Sequence, residues 1–248
     1  MLLTPQTVQR DISIAVVDHG RPDLGRFGGV MLSSDGSLTL ASSADAMGVL
    51  VGAELWYGRR VVLACEAPTS IVPGEYSVER PYESGHPWWK GSGRGAQSLF
   101  MVQLPAMLGT AMTALEVAPS VTASGEDFLD GQADLLLIEA LVTGDEKTAA
   151  PAALPTGFTT HHWDALCIAD TVLSMIRCDR TVASNVSCGD PHGGAPVVNL
   201  AMAAAFAEGM ELLGTNELNA PPIVVVPDRY APVRAADLLA DLCIPDHA

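Results

Sequence analysis

The sequence predicts an α/β domain with a five-stranded mixed sheet flanked by helices, in the order βββαβαβα. Three short apolar runs near the amino terminus are separated by turn residues, which predicts an antiparallel meander. Two later apolar runs are joined through segments with helical spacing, which predicts parallel crossovers. With 248 residues, 48% of them hydrophobic, the chain is long enough to bury the core of such a domain.

The predicted strands are β-branched or apolar runs that stop at polar, glycine or proline residues. They cover residues 12–17, 27–32, 37–40, 61–65 and 135–138. The helices between and after them show apolar residues at helical spacing, and Ser42 or Ser43 is suited to cap the first. They cover residues 44–57, 96–115 and 161–177, with a bend or break expected near Pro105.

The character of the chain changes after Arg180, where a segment rich in Gly, Ser and Pro begins. We therefore divide the sequence into a main domain, 1–180, and a carboxy-terminal α/β extension packed on it, 181–248. In the extension we predict a helix at 197–213, a strand at 223–226 and a final helix at 233–242.

Composition restricts the classes of function. The formal net charge is -16 and there is no basic run, which argues against tight, general binding to duplex nucleic acid. Nucleic acid held through a local groove or through metal ions stays open as a partner. Five scattered cysteines without a CxxC pair, and no signal-peptide pattern, indicate a cytoplasmic protein. No apolar run is long enough to span a membrane. The oligomeric state stays open, a homo-oligomer included.

Carboxylates mark the ends of three predicted strands. Asp18 ends the first, Glu66 the fourth and Glu139 the fifth. Because the carboxyl ends of parallel strands form one edge of an open α/β sheet, neighbouring strands would gather these acids there. Each acid alone is more often a solvated or capping residue. Clustered carboxylates repel one another unless they keep protons or bind cations, and hard cations such as Mg²⁺ favour oxygen ligands.

A fourth acid lies in the segment His161-His162-Trp163-Asp164-Ala165-Leu166, which opens the last predicted helix of the main domain. His161 and Asp164 are three residues apart and therefore share a helical face. The alternative interpretation is an acid favoured by the helix dipole, with His161 as a nearby cap.

In this combination the sequence resembles the ribonuclease H-like superfamily, especially RuvC-type resolvases and related uncharacterised predicted nucleases. Asp18 in IAVVDHG, Glu66 in VVLACEAP, and His161 with Asp164 in HHWDALCIAD match the family's motifs on the first strand, the fourth strand and the last core helix. The resemblance covers about residues 11–180. It implies catalytic roles for these four residues, with Asp18, Glu66, Asp164 and, as an added ligand, Glu139 binding Mg²⁺ or Mn²⁺.

The segment between Glu66 and Gly95 interleaves aromatic and basic residues. Rings can stack on bases, and Arg or Lys can contact phosphate, so this segment is a candidate substrate-binding loop. A long loop whose tryptophans cover the core or a subunit contact explains the same pattern. The substrate-binding candidates are Arg80, Trp88, Trp89, Lys90 and Arg94.

The leading hypothesis is a metal-dependent phosphodiesterase, and specifically a nuclease, that positions and deprotonates water without a covalent enzyme intermediate. Two alternatives stay open. Asp18-His19-Gly20 resembles the phosphate-binding turn of actin-like ATPases, which share this superfold, so a nucleotide-binding ATPase or sugar-kinase relative is one. A non-catalytic binding protein on the same scaffold is the other.

Overall fold

The computed structural model of the chain describes residues 11–71, 94–140, 149–176 and 196–225. Within these ranges an eight-stranded mixed sheet lies between two layers of helices, and two further short strands form a separate pair. The strands are β1 Ile12–Asp18, β2 Gly28–Leu32, β3 Leu38–Ala41, β4 Arg60–Glu66, β5 Ser70–Ile71, β6 Ser120–Thr122, β7 Leu135–Ala140, β8 Val198–Asn199, β9 Glu211–Leu212 and β10 Val224–Val225. The α-helices are α1 Ala44–Trp56, α2 Arg94–Met112, α3 Gly125–Leu129, α4 Thr160–Ile176 and α5 Leu200–Ala207.

The sheet follows the predicted meander and crossovers. Its order is β3-β2-β1-β4-β7-β6-β9, and β10 pairs with the end of β7. The β2 strand runs antiparallel to β1 and β3, whereas β1, β4 and β7 are neighbouring parallel strands. The α/β class with a mostly parallel mixed sheet is therefore confirmed. The prediction of five strands was wrong, because β6, β9 and β10 extend the sheet beyond β7.

Each face of the sheet has its own core, as the alternation of side chains along a strand requires. On one face, Ala15 and Val17 of β1 pack with α1, α2 and α5. On the other face, Ile14 and Val16 pack with α4 and with Phe128 of α3. A residue's position along a central strand therefore decides which helices its side chain meets.

Glycines bring α1 and α2 into close contact on the first face. A Cβ atom at Gly48 would lie 2.4 Å from the carbonyl oxygen of Met107 and 2.8 Å from the Cβ of Thr110. A Cβ at Gly52 would lie 2.8 Å from the carbonyl oxygen of Ala111. Both helices pack their backbones against each other here, which only residues without a side chain permit.

We expect Gly48→Ala to lower the free energy of unfolding by about 1–3 kcal/mol, because the added methyl meets backbone that cannot turn away. Chemical denaturation of the two proteins measures this. Gly95→Ala is the matched control: Gly95 is exposed on α2 and its Cβ position has no described atom within 4 Å. Equal stability of the Gly48→Ala variant and the wild type would contradict the close packing.

Some elements differ from their predictions. The α2 helix continues through Pro105 without a break, and no helix within the described ranges is both long and apolar enough to cross a membrane. The predicted helix 197–213 is shorter, because the Asn199 side chain caps α5 and Gly209, at a φ of 85°, follows its end. The chain then forms β9. The predicted helix 233–242 lies outside the described residues.

Residues 196–225 contribute directly to the central sheet through β9 and β10. Buried side chains bind them further. The carboxylate of Glu217 accepts hydrogen bonds from Thr122 Oγ1 at 2.6 Å and from the backbone N–H of Ala123 at 2.8 Å. The backbone of this region thus completes the sheet edge beyond β7 instead of only covering it.

Candidate metal centre

The site begins where β1 and β4 end side by side. Asp18 and Glu66 are register partners in this parallel pair, so their side chains leave the same face of the sheet. It is the face covered by α4, because Val16 and Ala64, two residues earlier on each strand, both belong to the α4 core. Parallel pairing therefore places two carboxylates next to each other at the carboxyl edge of the sheet, on the face that α4 covers.

Hydrogen bonds hold the first turn of α4 at this place. Thr159 acts as its cap, with Oγ1 accepting from the backbone N–H of His162 at 3.3 Å. His162 Nδ1 in turn accepts from the backbone N–H of Thr159, and its Nε2–H donates to the carbonyl oxygen of Ala41 at 3.1 Å. Burial lowers the pKa of His162, which keeps this imidazole neutral. The helix start is thereby attached to the end of β3.

Gly28 lets the helix come close to the sheet. It is the register partner of Asp18 on β2, and a Cβ there would lie 2.3 Å from the carbonyl carbon of His161 and 2.6 Å from the backbone nitrogen of His162. The backbone of α4 rests directly on this glycine. The close approach brings the side chains of the first helical turn to the level of Asp18.

Three predicted site residues come together as a result. One ligand atom from each of Asp18, His161 and Asp164 lies within 4.8 Å of the other two. His161 Nδ1 donates a hydrogen bond to Asp18 Oδ2. Asp164 is buried at 5% exposure, whereas the side chains of Asp18 and His161 retain 13% and 28%. The cluster therefore has a buried end and a partly open end, as a site that admits a small ligand needs.

Comparisons with protein-family models, curated proteins and solved structures found no match. The side chains of the site themselves indicate its chemistry. Two carboxylates and an imidazole supply oxygen and nitrogen ligands, and two ligands of one Mg²⁺ at about 2.1 Å each are at most about 4.2 Å apart. The three ligand atoms all lie within 4.8 Å of one another, so small side-chain adjustments would let the donor set fit a divalent cation.

Glu66 lies beside this cluster but is not among the residues whose ligand atoms are within 4.8 Å of one another. Its position on the strand next to Asp18, on the same face, makes it a further carboxylate at this edge of the sheet. A rotation of its side chain can change its distance to Asp18 without any change of the backbone.

Glu139 is not among the residues of this cluster, and its side chain leaves the other face of the sheet. Its register partner is Cys65, which belongs to the core on the α1 and α2 face, opposite Asp18. The Glu139 carboxylate is fully buried and accepts hydrogen bonds from the backbone N–H and the hydroxyl of Thr69, at 3.0 and 3.1 Å. It therefore fixes the turn after β4.

Most of the predicted substrate-binding segment lies outside the described residues. Arg80, Trp88, Trp89 and Lys90 lie outside the described residues. Arg94 is the first residue of α2, but its side chain is outside the described part. The substrate-binding assignments stay predictions.

Proposed function

We propose that the protein is a Mg²⁺- or Mn²⁺-dependent phosphodiester hydrolase that acts on nucleic acid. The observation that carries the proposal is the convergence of Asp18, His161 and Asp164 at the carboxyl edge of the central parallel strands. The order of these residues along the chain, with Glu66 between them, also resembles the motif order of RuvC-type nucleases. The meander followed by parallel strands is compatible with the ribonuclease H-like arrangement that this resemblance implies.

In this proposal Asp18 and Asp164 bind the cation. Glu66, at the same edge of the sheet, is the candidate for a further ligand. A bound divalent cation would supply Lewis acidity and lower the pKa of a bound water, and both effects promote phosphodiester hydrolysis. His161 orients Asp18 through its Nδ1 hydrogen bond, which fixes the position of one oxygen of the Asp18 carboxylate. Glu139 has no part in the proposed ligand set.

The substrate is expected to contact the site locally. A net charge of -16 disfavours a broad, nonspecific duplex interface. Partial exposure of Asp18 and His161 leaves one side of the cluster open to a phosphodiester group. A single-stranded end, a loop or a branch point meets such a site more readily than a continuous duplex surface does.

The test is metal-dependent cleavage of single-stranded, duplex and branched DNA and RNA by the wild type and by Asp18→Asn. We expect cleavage to require Mg²⁺ or Mn²⁺ and to fall at least about 100-fold in the variant, because loss of a mere supporting partner already weakens metal sites about 10- to 100-fold. Asp23→Asn is the matched control, since Asp23 is exposed and paired with Arg21.

Other outcomes would contradict the proposal in distinct ways. Mn²⁺ binding without cleavage of any substrate, together with binding of ATP, would favour a nucleotide-binding relative of the actin-like ATPases. Neither cleavage nor metal binding would favour a non-catalytic binding protein on the same scaffold. Cleavage that persists in Asp18→Asn would place the active site elsewhere.

A further inference from the structure

His19 follows the candidate ligand Asp18 directly and lies on the opposite face of the sheet. Its ring packs edge-on against Phe100 of α2, with centroids 5.4 Å apart, and only 3% of the residue is exposed. Asp18 faces α4, so these two neighbouring residues meet different helical layers. The contacts that fix His19 therefore also restrain the backbone of Asp18, from the face of the sheet opposite its carboxylate.

Gln103 of α2 connects His19 to the next residue, Gly20. The Gln103 Nε2 amide donates to the carbonyl oxygen of Gly20 at 2.9 Å, and its Oε1 lies 2.8 Å from His19 Nδ1. Because this amide can offer only its oxygen to the ring, His19 Nδ1 must carry the proton and donate. A single buried side chain thus binds both residues that follow Asp18.

The protonation state of His19 agrees with this arrangement. Burial lowers the pKa of His19 to about 4, so the ring is neutral and carries one proton, on Nδ1. Its Nε2 is buried and has no hydrogen-bond partner in the described ranges. The imidazole is therefore held through Nδ1, through its packing on Phe100 and through the backbone.

The turn that follows Asp18 is closely packed. The backbone N–H of Gly20 donates to the carbonyl oxygen of Asp18 at 2.9 Å. A Cβ at Gly20 would overlap the carbonyl oxygen of Arg26, at 1.3 Å. Because this hydrogen bond joins Gly20 to the Asp18 carbonyl, the positions of Gly20 and of the Asp18 backbone are coupled.

We infer that Gln103 and His19 are positioning residues that set the Asp18 carboxylate from the far side of the sheet. They lie on the opposite face of the sheet and fix the backbone from which the Asp18 side chain leaves towards His161. Helix α2 is in this way part of the support of the candidate metal centre, although it lies on the other face. The inference deepens the proposed function and rests on it where metal affinity is the measurement.

Three variants and one stability control test this inference. Gln103→Met removes both hydrogen bonds at similar volume. His19→Leu removes the Nδ1 donor, whereas His19→Asn keeps an N–H donor near that position. Leu104→Ala is the stability control, because Leu104 is fully buried in the same helix and its truncation opens a cavity without removing a bond to the turn.

The measurements are Mn²⁺ affinity by calorimetry and the ¹⁵N chemical shift of His161 Nδ1, which reports its hydrogen bond to Asp18. We expect Gln103→Met and His19→Leu to weaken Mn²⁺ binding about 10-fold or more and to change the His161 shift. His19→Asn should restore most of the affinity. Leu104→Ala should unfold at lower denaturant concentration with affinity and shift unchanged.

Failure of the positioning role and failure of the proposed function give different results. Unchanged affinity and unchanged His161 shift in Gln103→Met would overturn the positioning role, even if the wild type binds Mn²⁺. A wild type that binds no Mn²⁺ would instead overturn the proposed function, and the His161 shift alone would then decide whether Gln103 sets the position of Asp18. Equal losses in Leu104→Ala and Gln103→Met would reduce the role of Gln103 to stability.

Discussion

Asp164→Asn is expected to weaken Mn²⁺ binding more than about 100-fold and to abolish metal-dependent cleavage, with the fold retained. The substitution removes the negative charge of the most deeply buried carboxylate in the cluster and keeps the shape of the side chain. An amide oxygen is a poorer ligand for a hard cation than a carboxylate oxygen. Calorimetric titration with Mn²⁺ and the cleavage assay measure the two effects.

Asp170→Asn is the matched control for this prediction. Asp170 lies on the same helix, α4, and is buried to a similar extent, at 8% exposure, but it is not part of the cluster. A general response of the helix to the loss of a buried charge would weaken binding in both variants. Equal metal affinity in Asp164→Asn and the wild type would remove Asp164 from the ligand set.

Gly28→Ala is expected to lower the free energy of unfolding by about 3 kcal/mol or more and to disrupt metal binding as well. The new methyl group would meet the backbone of His161 and His162 at 2.3–2.6 Å, so the first turn of α4 must move away from the sheet. Such a movement separates His161 and Asp164 from Asp18. Denaturant unfolding and Mn²⁺ titration of the same preparation measure the two losses.

Gly29→Ala distinguishes a site effect from a general effect on β2. A Cβ at Gly29 would meet the Met47 Cε and the Ala41 Cβ, each at 2.9 Å, and the Ala41 carbonyl oxygen at 3.0 Å, so each of these contacts is longer than those at Gly28. We expect this variant to be destabilised less and to keep its metal affinity. The prediction for Gly28 is wrong if both variants lose affinity to the same degree.

The framework of the fold could be predicted because its signals are local. The runs that became β1, β4 and β7 are predominantly apolar, as buried parallel strands are, and each has an acid at or next to its carboxyl end. The strands β6 and β9 were missed because they have three and two residues. Segments this short carry no periodicity, and pairing with a neighbouring strand forms them.

The site could be predicted only in part, because register is not a local property. Spacing placed His161 and Asp164 on one face of α4, and strand ends placed Asp18 and Glu66 at one edge. Whether Glu139 shares their face depends on its pairing with Cys65, and a shift of one residue would have reversed the answer. The sequence of one strand does not contain that information.

The residues that support the cluster carried weaker signals still. Gly28 stands in a Gly-Gly pair at the start of a strand, which indicates a close backbone approach in general but not the helix that approaches. Gln103 lies in the middle of α2, far along the chain from Asp18, and no spacing connects the two. Such residues become visible once the layers are assembled.

The pairing of β10 with β7 has a consequence for how the chain folds as it is synthesised. Val224 and Val225 bond to the carboxyl end of β7, beside Glu139 and Ala140, which are made much earlier. The meander, α1 and β4 can associate from the amino terminus onwards, as nascent domains do. The outer edge of β7 stays unpaired at that end until the late strand emerges from the ribosome. Closing so long a loop is slow, so we expect β10 to join the sheet late in folding.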